Sequence, residues 1–272
     1  LEGVLADGAG HARLTQALMQ RLNAEHDGQL ALALQIFDGS YPRHFLHQLV
    51  SSQLDMDRMD YLMRDSFFTG VVEGAIGADR IIKTLNVQGD QLVVEHKGIY
   101  SVEKFVVARR LMYWQAYLHK TAVSAENMVA KILQRARHLY DAGAPLPFLD
   151  EDLRTCLAAH PGPDGALPDA LLAAFTQLED ATMLYHFRRW EAAEDPALAE
   201  LCRRLRRRQL FKTRFQEQPM AADDLDRIRT VYQGKLGLPP AAMPYFVFTG
   251  QLTNQAYRRH AGEPIYILRK DG

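Results

Sequence analysis

Residues 51–65 read Ser51-Ser52-Gln53-Leu54-Asp55-Met56-Asp57-Arg58-Met59-Asp60-Tyr61-Leu62-Met63-Arg64-Asp65. Between Asp55 and Asp65 stand four carboxylates, two arginines and a tyrosine, with no Gly or Pro to break a helix. On a 3.6-residue helix Asp57, Tyr61 and Asp65 share a face, with Arg58 beside them. Met59, Leu62, Met63 and Phe67 are expected to make apolar contacts on the other sides. A carboxylate, a cation and a phenol on one face can hold a metal ion and a phosphate together. The same spacing also describes a solvated, ion-paired helix face, and Asp55, Asp60 and Arg64 are read in that structural way.

The chain has 272 residues, enough for one large domain with a small appendage. Its formal charge is −1, so no global bias points to nucleic acid or an anionic membrane. Cys156 and Cys202 make no disulfide framework and fit a reducing cytosol. No apolar run reaches the ~18 residues of a membrane span, and no signal peptide is seen. The chain opens on Leu1-Glu2 and stops just after Pro264-Ile265-Tyr266-Ile267-Leu268. Both ends look cut, so a longer protein is expected.

The pattern along the chain is mostly helical. Helices are expected at 11–25, 30–37, from Pro42, through the quoted stretch to Gly70, and at 78–85. Asn86 to Glu95 switches to strand character around Gly89-Asp90, a hairpin signal. From Ser101 no Gly or Pro interrupts a helical pattern of roughly 40 residues. Further helices are expected near 150–159, 168–178, 180–192, 196–212 and 223–236. Tyr245 to Phe248 and Ile265 to Leu268 read as two strands that pair in a small α+β tail. Phosphate loops of the GxGxxG or GK[ST] type are absent, as are CxxC and HExxH.

The string LDMDRMDYLMRDSFFTG resembles the LDxDRxDYLxRDxxxxG signature of HD-superfamily phosphohydrolases, in their dGTPase-like branch. The resemblance covers residues 1–215 well and implies a mainly α, HD-type helical bundle there. Residues 216–272 are expected to form a small α+β C-terminal subdomain, truncated at its end, and a short β-hairpin is expected within the helical part. It implies metal-dependent hydrolysis of a dNTP to deoxynucleoside and triphosphate. The alternative is a degenerate HD core serving as a nucleotide- or nucleic-acid-binding regulatory module.

The resemblance also implies roles. Asp57 is the metal ligand, for one divalent ion among Fe, Mn, Zn and Mg. The family's other ligands, a His and an adjacent His-Asp pair, would lie upstream of residue 1; His26-Asp27 lacks the family context and reads as a loop pair. His11 matches a catalytic histidine, although Ala12 stands where the family has Glu. Arg58 and Tyr61 are implied to contact phosphate, and Asp65 the sugar hydroxyl.

A second stripe, Arg109, Tyr113, Tyr117 and Lys120, resembles the family's Rx7YxHK segment. It implies Arg109 toward phosphate and Tyr117 on the deoxyribose; the family often has His where Tyr113 stands. His119 and Lys120 lie nearer to subunit contacts in the family, and Lys120 is carried as a substrate-side residue. Arg80, Arg208 and Lys212 resemble residues of an effector-nucleotide site between subunits. The expected partners are therefore a dNTP and further copies of the chain, as a dimer or tetramer, in the cytoplasm and without membrane. The run Arg203 to Arg214 holds seven basic residues in twelve. It is open to a nucleic-acid reading, which the lack of an aromatic before Phe211 does not favour.

Overall fold

The computed structural model describes residues 11–159, 167–252 and 264–270. It is mainly α-helical and resolves into two compact units, one within residues 1–18 and 120–251, the other within 19–119 and 252–272.

The second unit carries the signature. After α1 (His11–Glu25) come α2 (Ala31–Asp38), α3 (His44–Val50) and α4 (Met56–Thr69). A short α5 (Ala78–Ile82) leads into strands β1 (Leu85–Gln88) and β2 (Gln91–Glu95). These pair antiparallel, Leu85 opposite Val94 and Gln88 opposite Gln91. Gly89 and Asp90 both adopt positive φ, 55° and 64°, as a two-residue hairpin turn of this twist requires. Helix α6 (Ile99–Met112) follows, starting two residues before the expected Ser101. The core of this unit joins Leu54, Met59 and Leu62 to Ile81, Val94, Phe105 and Met112.

The other unit is a helical bundle: α7 (Lys120–Asp141), α8 (Glu151–Ala158), α9 (Asp169–Gln177), α10 (Asp180–Trp190), α11 (Pro196–Arg206) and α12 (Ala222–Leu236). Met128, Ile132, Leu133 and Ala136 of α7 are fully buried against Leu153 and Leu157, Phe187 and Trp190, Leu198 and Leu201. These positions recur at three and four, the stripe by which an amphipathic helix faces a core.

Two expectations are corrected. The helical run from Ser101 is not continuous. At Tyr113–Tyr117 it widens into a π turn, with Leu118 N–H donating to Tyr113 O at 2.7 Å, and α7 begins afresh at Lys120. Composition carries no signal for a π turn, because the residues remain helix formers. The two tail strands do not pair with each other. Pro240–Tyr245 is a 3-10 helix with Pro244 inside it, and residues 246–248 form no strand. Phe246 is buried, with its ring 6.4 Å from Phe211, and Phe248 stands 5.6 Å from the same ring. Aromatic packing, not strand pairing, is what that apolar run serves. β3 (Tyr266–Leu268) instead lies parallel to β2, with Ile267 opposite Val94.

Candidate active site on the signature helix

Asp55 starts α4. Its backbone is extended, and its carboxylate accepts from Arg58 N–H at 2.7 Å and Ser52 N–H at 3.1 Å. Those bonds satisfy donors that a helix start leaves open. The Arg58 guanidinium pairs with the same carboxylate, which is 1% exposed. Asp60 and Arg64 pair across one turn in solvent. The structural reading of Asp55, Asp60 and Arg64 therefore holds. Gly70, at φ 72°, ends the helix in the left-handed conformation.

The buried stripe of α4 is Met59, Leu62 and Ser66. Met63 and Phe67 were expected to pack, but they are exposed, Phe67 at 81%. Both lie to one side of that stripe on the helix, Phe67 further round than Met63.

On the flank next to α6, the two predicted stripes meet. The Tyr117 hydroxyl donates to Asp65 Oδ2 at 2.6 Å. The Tyr61 and Tyr117 rings pack edge to face with centroids 6.2 Å apart, and Tyr113 packs on Tyr117 at 5.3 Å. Arg109 is buried at 5% exposure and donates through Nη1 to Gln53 Oε1 at 3.2 Å. It also bears on the Tyr61 phenol by charge and hydrogen bonding, and the Arg58 charge acts on the phenol in the same direction.

Burial raises the Tyr61 pKa above the ordinary phenol value, and the Arg109 charge opposes that rise. Tyr117 is raised far more strongly, first by burial and then by donating to the anionic Asp65. Both phenols are therefore neutral donors at physiological pH. The Arg58 Nε is buried without a hydrogen-bond partner among the described residues. A guanidinium N–H in that state is a donor waiting for an acceptor.

Sequence reasoning did not single out Gln53, which holds Arg109, nor the phenol–carboxylate bond. Gln53 is one residue of an otherwise ordinary polar approach to the helix, and only the fold brings it to α6.

Asp57 is exposed in the first turn of α4. Among the described residues no three His, Cys, Asp or Glu side chains gather as a metal site. Asp57 alone does not make one, so the described residues do not by themselves fit a bound divalent ion. His11 is the exposed first residue of α1, and its carbonyl accepts from Thr15 Oγ1 at 3.0 Å. Arg80 is exposed on α5 and donates to Lys97 O at 3.4 Å. Lys120, Arg208 and Lys212 belong to the other unit, where Lys120 Nζ lies 5.6 Å from the Phe215 ring centre. Among the described residues no helix is long and apolar enough to cross a membrane.

Comparison with known proteins bears on the family and the fold. Residues 76–157 match the HD associated region family. YwfO of Bacillus subtilis, an uncharacterized protein, is 38% identical over 64% of this chain and 38% of its own length. The chain thus spans well under half of that relative. The SAMHD1-homologue deoxynucleoside triphosphate triphosphohydrolase of Dictyostelium discoideum is 29% identical over 35% of this chain and 19% of its own length. A phosphohydrolase from Bacteroides thetaiotaomicron, solved by crystallography, superposes with a TM-score of 0.90 at 42% identity, covering 100% of this chain and 67% of that one. With residues 76–157 matching the HD associated region and a phosphohydrolase matched at 42% identity over two thirds of its length, the chain belongs to the HD phosphohydrolases.

Proposed function

We propose that this chain supplies the sugar- and phosphate-binding wall of a metal-dependent phosphohydrolase acting on dNTPs, which releases deoxynucleoside and triphosphate. The observation that carries the reading is the Tyr117–Asp65 hydrogen bond beside the Arg109–Tyr61–Arg58 group. Asp65 has one carboxylate oxygen engaged by Tyr117. Its other oxygen is available to accept from a 3′-hydroxyl. The Tyr117 ring, held between Tyr61 and Tyr113, offers a flat wall to a deoxyribose and crowds a 2′-hydroxyl.

Arg58 lies seven residues before Asp65, about 10 Å along the helix axis. A sugar seated at Asp65 therefore directs its 5′-phosphate toward Arg58 and Arg109. Cations there offset charge that grows on phosphate oxygens in the transition state. Neutral phenols beside them donate without adding negative charge.

A divalent metal is part of this reading, with Asp57 as the one ligand assigned on this chain. Such an ion, held by Asp57 together with ligands from outside the described residues, would supply Lewis-acid activation of the phosphate and of an attacking water. The contribution of this chain's own residues is orientation of the sugar and neutralisation of phosphate.

The test is incubation of the complete natural-length protein with each dNTP and Mn²⁺, Mg²⁺, Zn²⁺ or Fe²⁺, separating products by anion exchange. Triphosphate and deoxynucleoside should appear in equal amounts, and Asp57→Ala should abolish their release while helix content is kept. Release of pyrophosphate or of single phosphates, or equal turnover of ribonucleotides, would overturn the substrate assignment. Full activity in Asp57→Ala would overturn the ligand.

A further inference from the structure

Two arginines of the candidate site are held from one short approach to α4, and by different chemistry. Residues 52–55 are pinned before the helix begins. Ser52 N–H donates to Asp55 Oδ2 at 3.1 Å, and Leu54 N–H donates to Ser52 Oγ at 3.1 Å. The Leu54 side chain is buried in the core of this unit. Asp55 takes the Arg58 guanidinium with a carboxylate. Gln53, between the fixed residues Ser52 and Leu54, takes Arg109 with an amide.

The orientation of that amide follows from chemistry. A guanidinium only donates, so the Gln53 oxygen must face Arg109 and its Nε2 must face away. Both side chains are buried, Gln53 at 8% exposure and Arg109 at 5%. Their 3.2 Å bond therefore lies out of bulk water, where solvent does not readily replace a lost partner. The same guanidinium hydrogen-bonds the Tyr61 phenol. Two neutral oxygens thus fix its place.

The surroundings explain why the holder is neutral. Beside Gln53 lies a cavity of about 20 Å³, with Leu92 and Val94 of β2 and Pro264 and Ile265 from just before β3 in its wall. That is room for about one water molecule. A carboxylate in this place would be desolvated, and would be held only by pairing its charge with Arg109. An amide fixes the guanidinium through a hydrogen bond and cancels none of its charge. At Arg58 the charge is already shared with Asp55.

We propose that Gln53 is a positioning residue for the phosphate end of the site: its amide holds Arg109 in place while leaving the arginine's positive charge to act on phosphate. The proposal rests on the reading that Arg109 faces phosphate. Gln53 touches no substrate and acts through Arg109 alone.

The experiment is steady-state hydrolysis of a dNTP with Mn²⁺ by the complete natural-length protein, alongside calorimetric binding of inorganic triphosphate. Gln53→Leu removes the acceptor at similar size. It should lower kcat/KM by about tenfold or more and weaken triphosphate binding. In an Arg109→Ala background the same substitution should change kcat/KM less than twofold, because the residue it acts through is gone. Gln53→Glu keeps both the size and the acceptor, so a merely structural hydrogen bond would survive it. It should nevertheless weaken triphosphate binding by about tenfold, since the new carboxylate takes the Arg109 charge. Inhibition by the deoxynucleoside, which carries no phosphate, should be unchanged in each variant. Urea denaturation establishes that each variant is folded, and the Gln53→Glu comparison stands even where Gln53→Leu is not. The proposal is overturned if Gln53→Glu binds triphosphate as the parent does, or if Gln53→Leu loses as much activity without Arg109 as with it. A parent that hydrolyses dNTP while Arg109→Ala is silent would overturn the phosphate role of Arg109, and this proposal with it. An Arg109→Ala loss with both Gln53 variants at parental activity overturns this proposal alone.

Discussion

Tyr117 donates its hydroxyl proton to Asp65 Oδ2 at 2.6 Å, which ties the π turn after α6 to the third turn of the signature helix. Both residues touch the sugar in the proposed pose, and neither touches phosphate. Asp65→Asn keeps the shape and removes the charge. It should weaken dNTP binding by about tenfold, the scale of one charged hydrogen bond. Inhibition by inorganic triphosphate should be unchanged. If both ligands weaken equally, Asp65 is not at the sugar. Tyr117→Ala should lower dNTP turnover, and unchanged turnover would remove Tyr117 from the site.

Arg58 and Arg109 should behave in the opposite way. Truncating either should cost roughly 2–4 kcal/mol of transition-state stabilisation, the scale of a lost charge-stabilising donor. The loss should be alike for all dNTPs, because phosphate contacts do not read the base. Arg109 is also buried on Gln53, so Arg109→Ala should lower stability as well, whereas Arg109→Lys keeps a charge. The check is kcat/KM for each dNTP alongside urea denaturation. A loss confined to one base would move these residues to the nucleobase end.

Most of the helices and the hairpin could be read from periodicity, because apolar spacing and turn chemistry act locally. The meeting of the two stripes was legible only as like residue types on two helices. Their contact depends on α4 lying against α6, which no local rule supplies. The π turn was not legible, since one extra residue in a turn leaves composition untouched. The Tyr245–Phe248 run misled because an apolar run between a proline and a Thr-Gly pair has the same letters whether it pairs in a sheet or packs on Phe211.

Alkaline pH should expose the buried phenols. Burial, then the bond to Asp65, raises Tyr117 above the ordinary phenol value, and burial raises Tyr61 in the same direction. A raised pKa means that the folded state holds its proton more tightly than the unfolded chain does. The resulting stability is present in full below pH ~10 and is lost as pH climbs above it, while the unfolded phenols ionise first. Thermal midpoints should therefore fall above pH 10, less steeply in Tyr117→Phe than in the parent. Cys156, pushed up to about 11 by burial, titrates in the same window, so Cys156→Ala belongs in the series as a control. An identical alkaline slope in Tyr117→Phe and the parent would refute the assignment.

Gly98 precedes α6, and its φ of −90° is one that any residue adopts, so space and not conformation demands glycine there. A Cβ at Gly98 would collide with Thr84 Oγ1 and stand 2.7 Å from Val94 Cγ1. Neither neighbour yields easily. Thr84 is fully buried, with its hydroxyl bonded to Arg80 O at 3.1 Å and Ile81 O at 2.9 Å, and Val94 is fixed in β2 between β1 and β3. Gly98→Ala should cost about 1–3 kcal/mol, the usual penalty for overpacking. Gly89 is the contrast: it lies at φ 55° with nothing within 4 Å of a built Cβ. Gly89→Ala carries backbone strain alone, about 1 kcal/mol. Urea midpoints should rank parent above Gly89→Ala above Gly98→Ala. Because α6 carries Arg109 toward Tyr61, Gly98→Ala should also raise KM for every dNTP. A Gly98→Ala protein as stable as the parent would mean that α6 can shift without loss, and that the Arg109–Tyr61 contact is not held by this end of the helix.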